Sequence, residues 1–217
     1  HTRLRTVTGV QTCALPISLG EVLRDADAIV LAVKPQVMPA VLGELGRLLD
    51  PSRHLVLSIA AGITLARLSR GLGGYARVVR AMPNTPALVR EGITVLVPGS
   101  GASADDMAVA ERIFRAAGDV IAVGDESLMD AVTALSGSGP GFFFAYAEAM
   151  LRAGEAVGLP PEMALRLLQR TLAGSAALWI QSGESVERLR ANVTSPGGTT
   201  QAGLEALEAR GFAGAIR

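Results

Sequence analysis

The apolar and polar positions of the chain fall into two regimes that meet near Gly124. Before it, short apolar runs alternate with stretches of helical spacing. Leu19 to Ala26 carries Val22 and Leu23 as the apolar positions of a short helix, and Asp27 to Val33 is a near-continuous apolar run. Such a run is the mark of a strand in a parallel sheet covered on both faces. Lys34-Pro35 stops it, and Gln36 to Leu49 returns to helical spacing. His54 to Ile59 reads as a second strand, ending in Ala60-Ala61-Gly62 and followed by a helix from Thr64 to Arg70. Arg77 to Met82 is a third strand stopped by Pro83, and Ile93 to Pro98 is a fourth. Ala104 to Ala117 is then a helix and Asp119 to Val123 a fifth, short strand. Strand and helix alternating at this spacing predict a doubly wound α/β sheet.

After Gly124 the strand signal ends. Glu126 to Leu135, Pro140 to Val157, Pro161 to Gln181, Ser185 to Asn192 and Thr199 to Ala209 all read as helices. The second of these is apolar almost all round (Phe142, Phe143, Phe144, Tyr146, Met150, Leu151), so burial is expected. Helices this apolar need more cover than a small domain supplies, which favours a homodimer through this half. The expected division is therefore an α/β domain over residues 19–124 and a helical domain over 125–217.

Residues 1–18 follow neither period. Gly9-Val10-Gln11-Thr12-Cys13-Ala14-Leu15-Pro16-Ile17 resembles a translated sequencing-adapter scar and is too short and broken for the apolar core of a signal peptide. The segment is set apart from the fold, and the native N-terminal sequence is expected to be missing.

Composition narrows the function. Of 217 residues, 20 are basic and 20 acidic, so no net field steers nucleic acid or an anionic membrane. No apolar run is long enough for a membrane-spanning helix. The single cysteine, Cys13, excludes an internal disulfide framework and fits a reducing, cytoplasmic setting. The two histidines, His1 and His54, form no cluster with cysteine and acidic residues, so no metal site is expected. A small-molecule partner remains.

In a doubly wound sheet the ligand lies beyond the carboxyl ends of the strands. The loops expected there are Ala32-Val33-Lys34-Pro35-Gln36, Ser58-Ile59-Ala60-Ala61-Gly62 and Met82-Pro83-Asn84-Thr85-Pro86. Lys34 suits a phosphate or ribose edge and equally a solvated position before a helix; Ala60-Ala61-Gly62 suits a flat ring and equally a tight turn. Leu135-Ser136-Gly137-Ser138-Gly139-Pro140 joins the two halves, with Pro140 suited to a first helical turn and Ser138 to a cap. Val193-Thr194-Ser195-Pro196-Gly197-Gly198-Thr199-Thr200 precedes the helix from Thr199. Free N–H groups at that helix start favour an anion such as a carboxylate, and Thr200 shares a helix face with Leu204 and Leu207. A plain N-cap after a Pro-Gly-Gly turn accounts for the same residues.

These five stretches, in this order, resemble the pyrroline-5-carboxylate reductase family from Leu19 to the end of the chain. The resemblance implies a Rossmann-type domain that binds NADPH or NADH and a helical domain that interlocks two subunits, with larger rings of dimers also possible. It implies that Ala32, Val33, Lys34 and Pro35 line the dinucleotide, that Ile59 and Ala61 lie by the nicotinamide, and that Asn192 reaches the cofactor. Gly197, Gly198, Thr199 and Thr200 would hold the carboxylate of 1-pyrroline-5-carboxylate, with Thr200 as the catalytic residue beside the ring nitrogen. An imine nitrogen is readily protonated near neutral pH, so positioning rather than a strong acid would carry the reaction.

Two departures qualify this. The strand, Gly-x-Gly-x-x-Gly turn and helix that open such a domain are missing, and Phe212 to Arg217 begins an apolar pattern without an end. The chain is therefore expected to be a fragment with weak or no turnover. A related hydroxy-acid dehydrogenase would need a lysine on a helix of the second domain, and no lysine follows Lys34. A non-catalytic dimerisation or ligand-binding module would dimerise without binding nucleotide.

Overall fold

The structure, a computed structural model, describes residues 4–7 and 18–216. They divide between two compact units, residues 1–144 and 145–217. The first unit carries β1 (Leu4–Val7), α1 (Leu19–Arg24), β2 (Ala28–Leu31), α2 (Met38–Leu45), β3 (Leu55–Ser58), α3 (Leu65–Gly71) and β4 (Val78–Pro83). After a 3-10 turn over Thr85–Val89 come β5 (Gly92–Pro98), α4 (Ala104–Arg115) and β6 (Gly118–Ala122).

Among the described residues the six strands form one sheet in the order β1-β2-β3-β4-β5-β6. The pairs from β1 to β4 are parallel, β4 and β5 are antiparallel, and β5 and β6 are parallel again. This explains how both faces become covered without a reversal of strand order. Right-handed crossovers that step one way across a sheet leave their helices on one face. Turning the strand direction over at β5, while still stepping the same way, sends the next crossover helix to the other face. Accordingly α1, α2 and α3 pack through Leu23, Met38, Leu42, Leu68 and Leu72 against Ile29, Leu31, Val56 and Val78. Helix α4 packs through Ala110 and Phe114 against Ala28, Val30, Leu55, Leu57, Val79 and Ala81. Odd and even positions of β2, β3, β4 and β5 thus feed different cores, as the two-residue period of a strand requires.

Residues 1–18, set apart on sequence grounds, nevertheless supply β1, which pairs Leu4 to Val7 with Ala28 to Leu31. A parallel ladder is made by backbone groups, so the exposed edge of β2 accepts a strand whose sequence carries little period. Ser18, the last residue of that segment, caps α1, its hydroxyl accepting the Glu21 N–H at 3.3 Å, and residues 1–3 and 8–17, Cys13 included, lie outside the described residues.

The apolar pattern changes at Gly124, yet residues 125–144 belong to the first unit. Met129 is fully buried with Met82, Val95 and Val97, which fastens this stretch to the sheet. The helix expected over Glu126–Leu135 is broken into a 3-10 turn (Glu126–Leu128), α5 (Met129–Val132) and a π turn (Thr133–Gly137). Ser138 caps the C-terminus of the π turn through its backbone, which stays helical at φ −86° and ψ −23°, its N–H donating to Thr133 O at 2.8 Å.

Helix α6 (Gly139–Ala156) runs across the division between the units, and α7 (Pro161–Ser182), α8 (Val186–Asn192), α9 (Thr199–Ala209) and α10 (Phe212–Ile216) complete the second. The burial expected for α6 is not found within one chain: Phe142, Phe144 and Met150 are 62, 64 and 44% exposed. On α7, Leu178, Trp179 and Ile180 are likewise exposed. Among the described residues no helix is long and apolar enough to cross a membrane.

Candidate functional site

The site residues fall on the two units, and each set has its own geometry. In the first unit the carboxyl ends of β2, β3 and β4 lie along one edge of the sheet. Ala32 is half-buried and Val33 buried, whereas Lys34 and Pro35 are exposed just past β2. Lys34 O accepts the Val37 N–H at 2.9 Å, which turns the chain into α2 and leaves the ammonium in solvent. Beyond β3, Ile59 is half-buried, Ala60 buried, and Ala61 and Gly62 exposed. Gly62 takes φ +72°, a left-handed backbone open to glycine, so the chain turns there without a side chain. This edge offers one cation and a small, uncharged surface, a donor set that fits the nicotinamide half of a dinucleotide. The connection from β1 to α1, where a pyrophosphate turn belongs, has a single glycine at position 9 and lies mostly outside the described residues.

The Asn84 side chain serves the turn after β4: its Oδ1 accepts the Ile93 N–H at 3.0 Å. This closes the link between β4 and β5 at the same edge.

A buried cation sits just below these loops. Arg80, in β4 beside Ser58 of β3, is only 3% exposed and donates from Nη1 to Glu126 Oε1 at 2.7 Å. The same oxygen accepts the Leu65 N–H at 2.7 Å, at the start of α3. Neither residue stands out in a reading of loops and glycines. The available signal is a charge in the otherwise apolar run Val78 to Met82, since a buried charge requires a partner.

In the second unit, Ser195 to Gly198 form a tight turn in which Gly198 N–H donates to Ser195 O at 3.0 Å. Pro196 and then Gly197, φ +71°, are the residues that a type II turn demands at its centre. Gly198 is the N-cap of α9 and supplies no side chain, so the first turn of the helix has no side-chain acceptor. The Gly197 N–H is already used, donating to Gln201 Oε1 at 2.8 Å. The open donors are therefore the N–H groups of Thr199, Thr200 and Gln201, at the positive end of an 11-residue helix. Three converging amides suit a carboxylate.

Thr199 and Thr200 are exposed, and the face that Thr200 shares is less buried than expected, with Leu204 half-buried and Leu207 41% exposed. Leu204 and Leu207 instead line an open hollow with Thr194, Arg190 and Phe212, and Thr200 lies outside it. Asn192, the last residue of α8, is exposed and donates from Nδ2 to Glu184 Oε2 at 3.4 Å. Among the described residues no group of three or more His, Cys, Asp or Glu side chains is placed to hold a metal ion.

Comparison with known proteins places this geometry. Residues 126–217 match the model of the pyrroline-5-carboxylate reductase dimerisation domain. A pyrroline-5-carboxylate reductase of Pseudomonas aeruginosa is 45% identical over 195 residues, covering 90% of this chain and 71% of that protein. The chain belongs to the pyrroline-5-carboxylate reductase family. Residues 5–62 match the model of the coenzyme F420-dependent NADP oxidoreductases, a match that takes in β1. The crystal structure of the pyrroline carboxylate reductase of Plasmodium falciparum with NADP bound superposes with a TM-score of 0.88 at 32% identity, covering 97% of this chain and 81% of that one. The reductase of Coxiella burnetii superposes with a TM-score of 0.81 at 41% identity, over 88% and 71%. The Rossmann-like sheet and the helical dimerisation domain are thus those of this family.

Proposed function

We propose that the chain carries out the NADPH- or NADH-dependent reduction of 1-pyrroline-5-carboxylate to L-proline. The observation that carries this reading is the uncapped start of α9 behind the Gly197 turn, an anion site in a chain whose relatives are named for that substrate. In this reading the N–H groups of Thr199, Thr200 and Gln201 hold the substrate carboxylate, and Gly197 and Gly198 let it approach the backbone. Ala32, Val33, Lys34 and Pro35 line the dinucleotide, Ile59 and Ala61 meet its nicotinamide end, and Asn192 is a further contact of the cofactor. When bound, the reduced nicotinamide supplies a hydride to the imine carbon.

The chain's own residues bind and orient. The ring nitrogen arrives protonated from water, so the imine needs no strong side-chain acid. The Thr200 hydroxyl accepts the hydrogen bond of the ring N–H and holds the imine plane in one orientation. The Thr200→Ala variant is expected to lower kcat about tenfold, the effect of one lost orienting hydrogen bond, with the affinity for NADPH unchanged. Steady-state kinetics beside a fluorescence titration of NADPH measure both; equal losses in the two would remove Thr200 from the reaction. Because residues 8–18 lack the three-glycine turn, weak nucleotide affinity and slow turnover are expected. The working form is a homodimer in the cytoplasm, with a larger ring of dimers as its further assembly.

A further inference from the structure

We propose that Arg80 and Glu126 are positioning residues that set the cofactor-facing loop 59–64 from both of its ends. The inference rests on the reading of Ile59 and Ala61 as contacts of the nicotinamide. The loop leaves β3 at Ser58, the Cα partner of Arg80 in the neighbouring strand, and it ends at Leu65, whose N–H is held by Glu126 Oε1 at 2.7 Å. One carboxylate oxygen therefore joins the start of α3 to a cation fixed beside the end of β3. Arg80 is 3% exposed and Glu126 28% by side chain, so solvent competes little for the pair.

Glu126 is itself held in place. Asp125 Oδ1 accepts the Ser127 N–H at 2.8 Å and Oδ2 the Ser127 hydroxyl at 2.7 Å, which fixes the turn that presents Glu126. Thr64 caps α3 separately, its hydroxyl accepting the Arg67 N–H at 3.2 Å. The helix can thus form without Glu126, and what Glu126 adds is its position. Between the two anchors the loop contains Gly62 at φ +72°, a flexible joint that does not by itself fix where Ile59 and Ala61 lie.

The test uses the full chain and the Glu126→Ala and Glu126→Gln variants. Gln retains an acceptor for the Leu65 N–H, and Ala does not. NADPH titration, initial-rate kinetics and amide hydrogen exchange are read on each. Glu126→Ala is expected to weaken NADPH binding and raise its KM about tenfold, leaving the KM of pyrroline-5-carboxylate within about twofold, and to speed exchange across residues 59–66. Glu126→Gln is expected to recover most of both effects. Should Glu126→Ala fail to fold, the Arg80→Met/Glu126→Gln pair, with no buried charge left over, is read in its place and is expected to weaken NADPH alone. Unchanged NADPH affinity and unchanged exchange at 59–66 in a folded variant would overturn the proposal. So would a uniform loss in both substrates without rescue by Gln. If the unsubstituted chain binds no NADPH at all, the cofactor reading falls and this role with it. Binding that survives Glu126→Ala sinks the role alone.

Discussion

Asp106 shows how much of this fold can hang on one carboxylate. Its oxygens accept from Arg77 Nε and Nη2, at 3.1 and 2.8 Å, and from the N–H and hydroxyl of Ser103, each at 2.9 Å. The first pair ties α4 to the residue before β4, and the second closes a capping box at the start of α4. Burial by itself would raise the Asp106 pKa, but the bonds from Arg77 and Ser103 outweigh it and hold the carboxyl below its ordinary range. A depressed folded value means that the stabilisation is complete above the unfolded pKa of about 3.9 and disappears as pH falls through the lower folded value. Asp106→Ala is therefore expected to cost about 3 kcal/mol at neutral pH, with the gap to the unsubstituted protein narrowing in acid below about pH 4. Urea unfolding at a series of pH values measures the gap, and a difference independent of pH would rule out the ion pair as its source.

At the scale of elements, the edge between β5 and β6 depends on the absence of a side chain. Gly118 opens β6 at φ +141°, and a Cβ there would lie 1.9 Å from Gly92 O. Gly118→Ala is expected to destabilise by about 2–4 kcal/mol and to shift the urea midpoint at unchanged m, since the clash is with backbone that cannot move aside. Such elements divide cleanly into what a sequence displays and what it hides. The run Ala28 to Leu31 announces a strand buried on both faces because every residue in it is apolar, and Thr64 and Ser185 mark helix starts by their side-chain chemistry. The direction of β5 leaves no such trace, because Ile93 to Pro98, apolar but for Thr94, reads the same whichever way it points. β1 is hidden for a related reason, since Leu4 to Val7 shows no strand period while its ladder with β2 is made by backbone groups. In the site, the glycines of the Ser195–Gly198 turn are legible because only particular residues fit that turn. The use of the Gly197 N–H by Gln201 is not, since it depends on one rotamer of a long side chain.

For the whole molecule, the unburied apolar side chains of α6 and α7 are the counterpart of the dimerisation match over residues 126–217. Large apolar side chains left exposed in this number are costly in water and call for a partner surface. Replacing Trp179 and Ile180 together by Arg is expected to halve the mass measured by light scattering while leaving the helical circular dichroism in place. A mass that stays dimeric would move the interface away from α7. The compact boundary falls at residues 144 and 145, past the change of pattern at Gly124, and Met129, buried against the sheet, is one of the residues that fasten this stretch to the first unit. A single methionine inside a helical stretch gives no hint of which layer it will join.

Lys34 carries one last consequence. It is the only lysine in the chain, against nineteen arginines, and it stands exposed at the edge where β2, β3 and β4 end. An amine-selective reagent consequently has a single side-chain target on this protein. A dye, tether or crosslinker attached by that chemistry reports from the carboxyl-end rim of the sheet, where the nucleotide is proposed to bind, without any engineered handle.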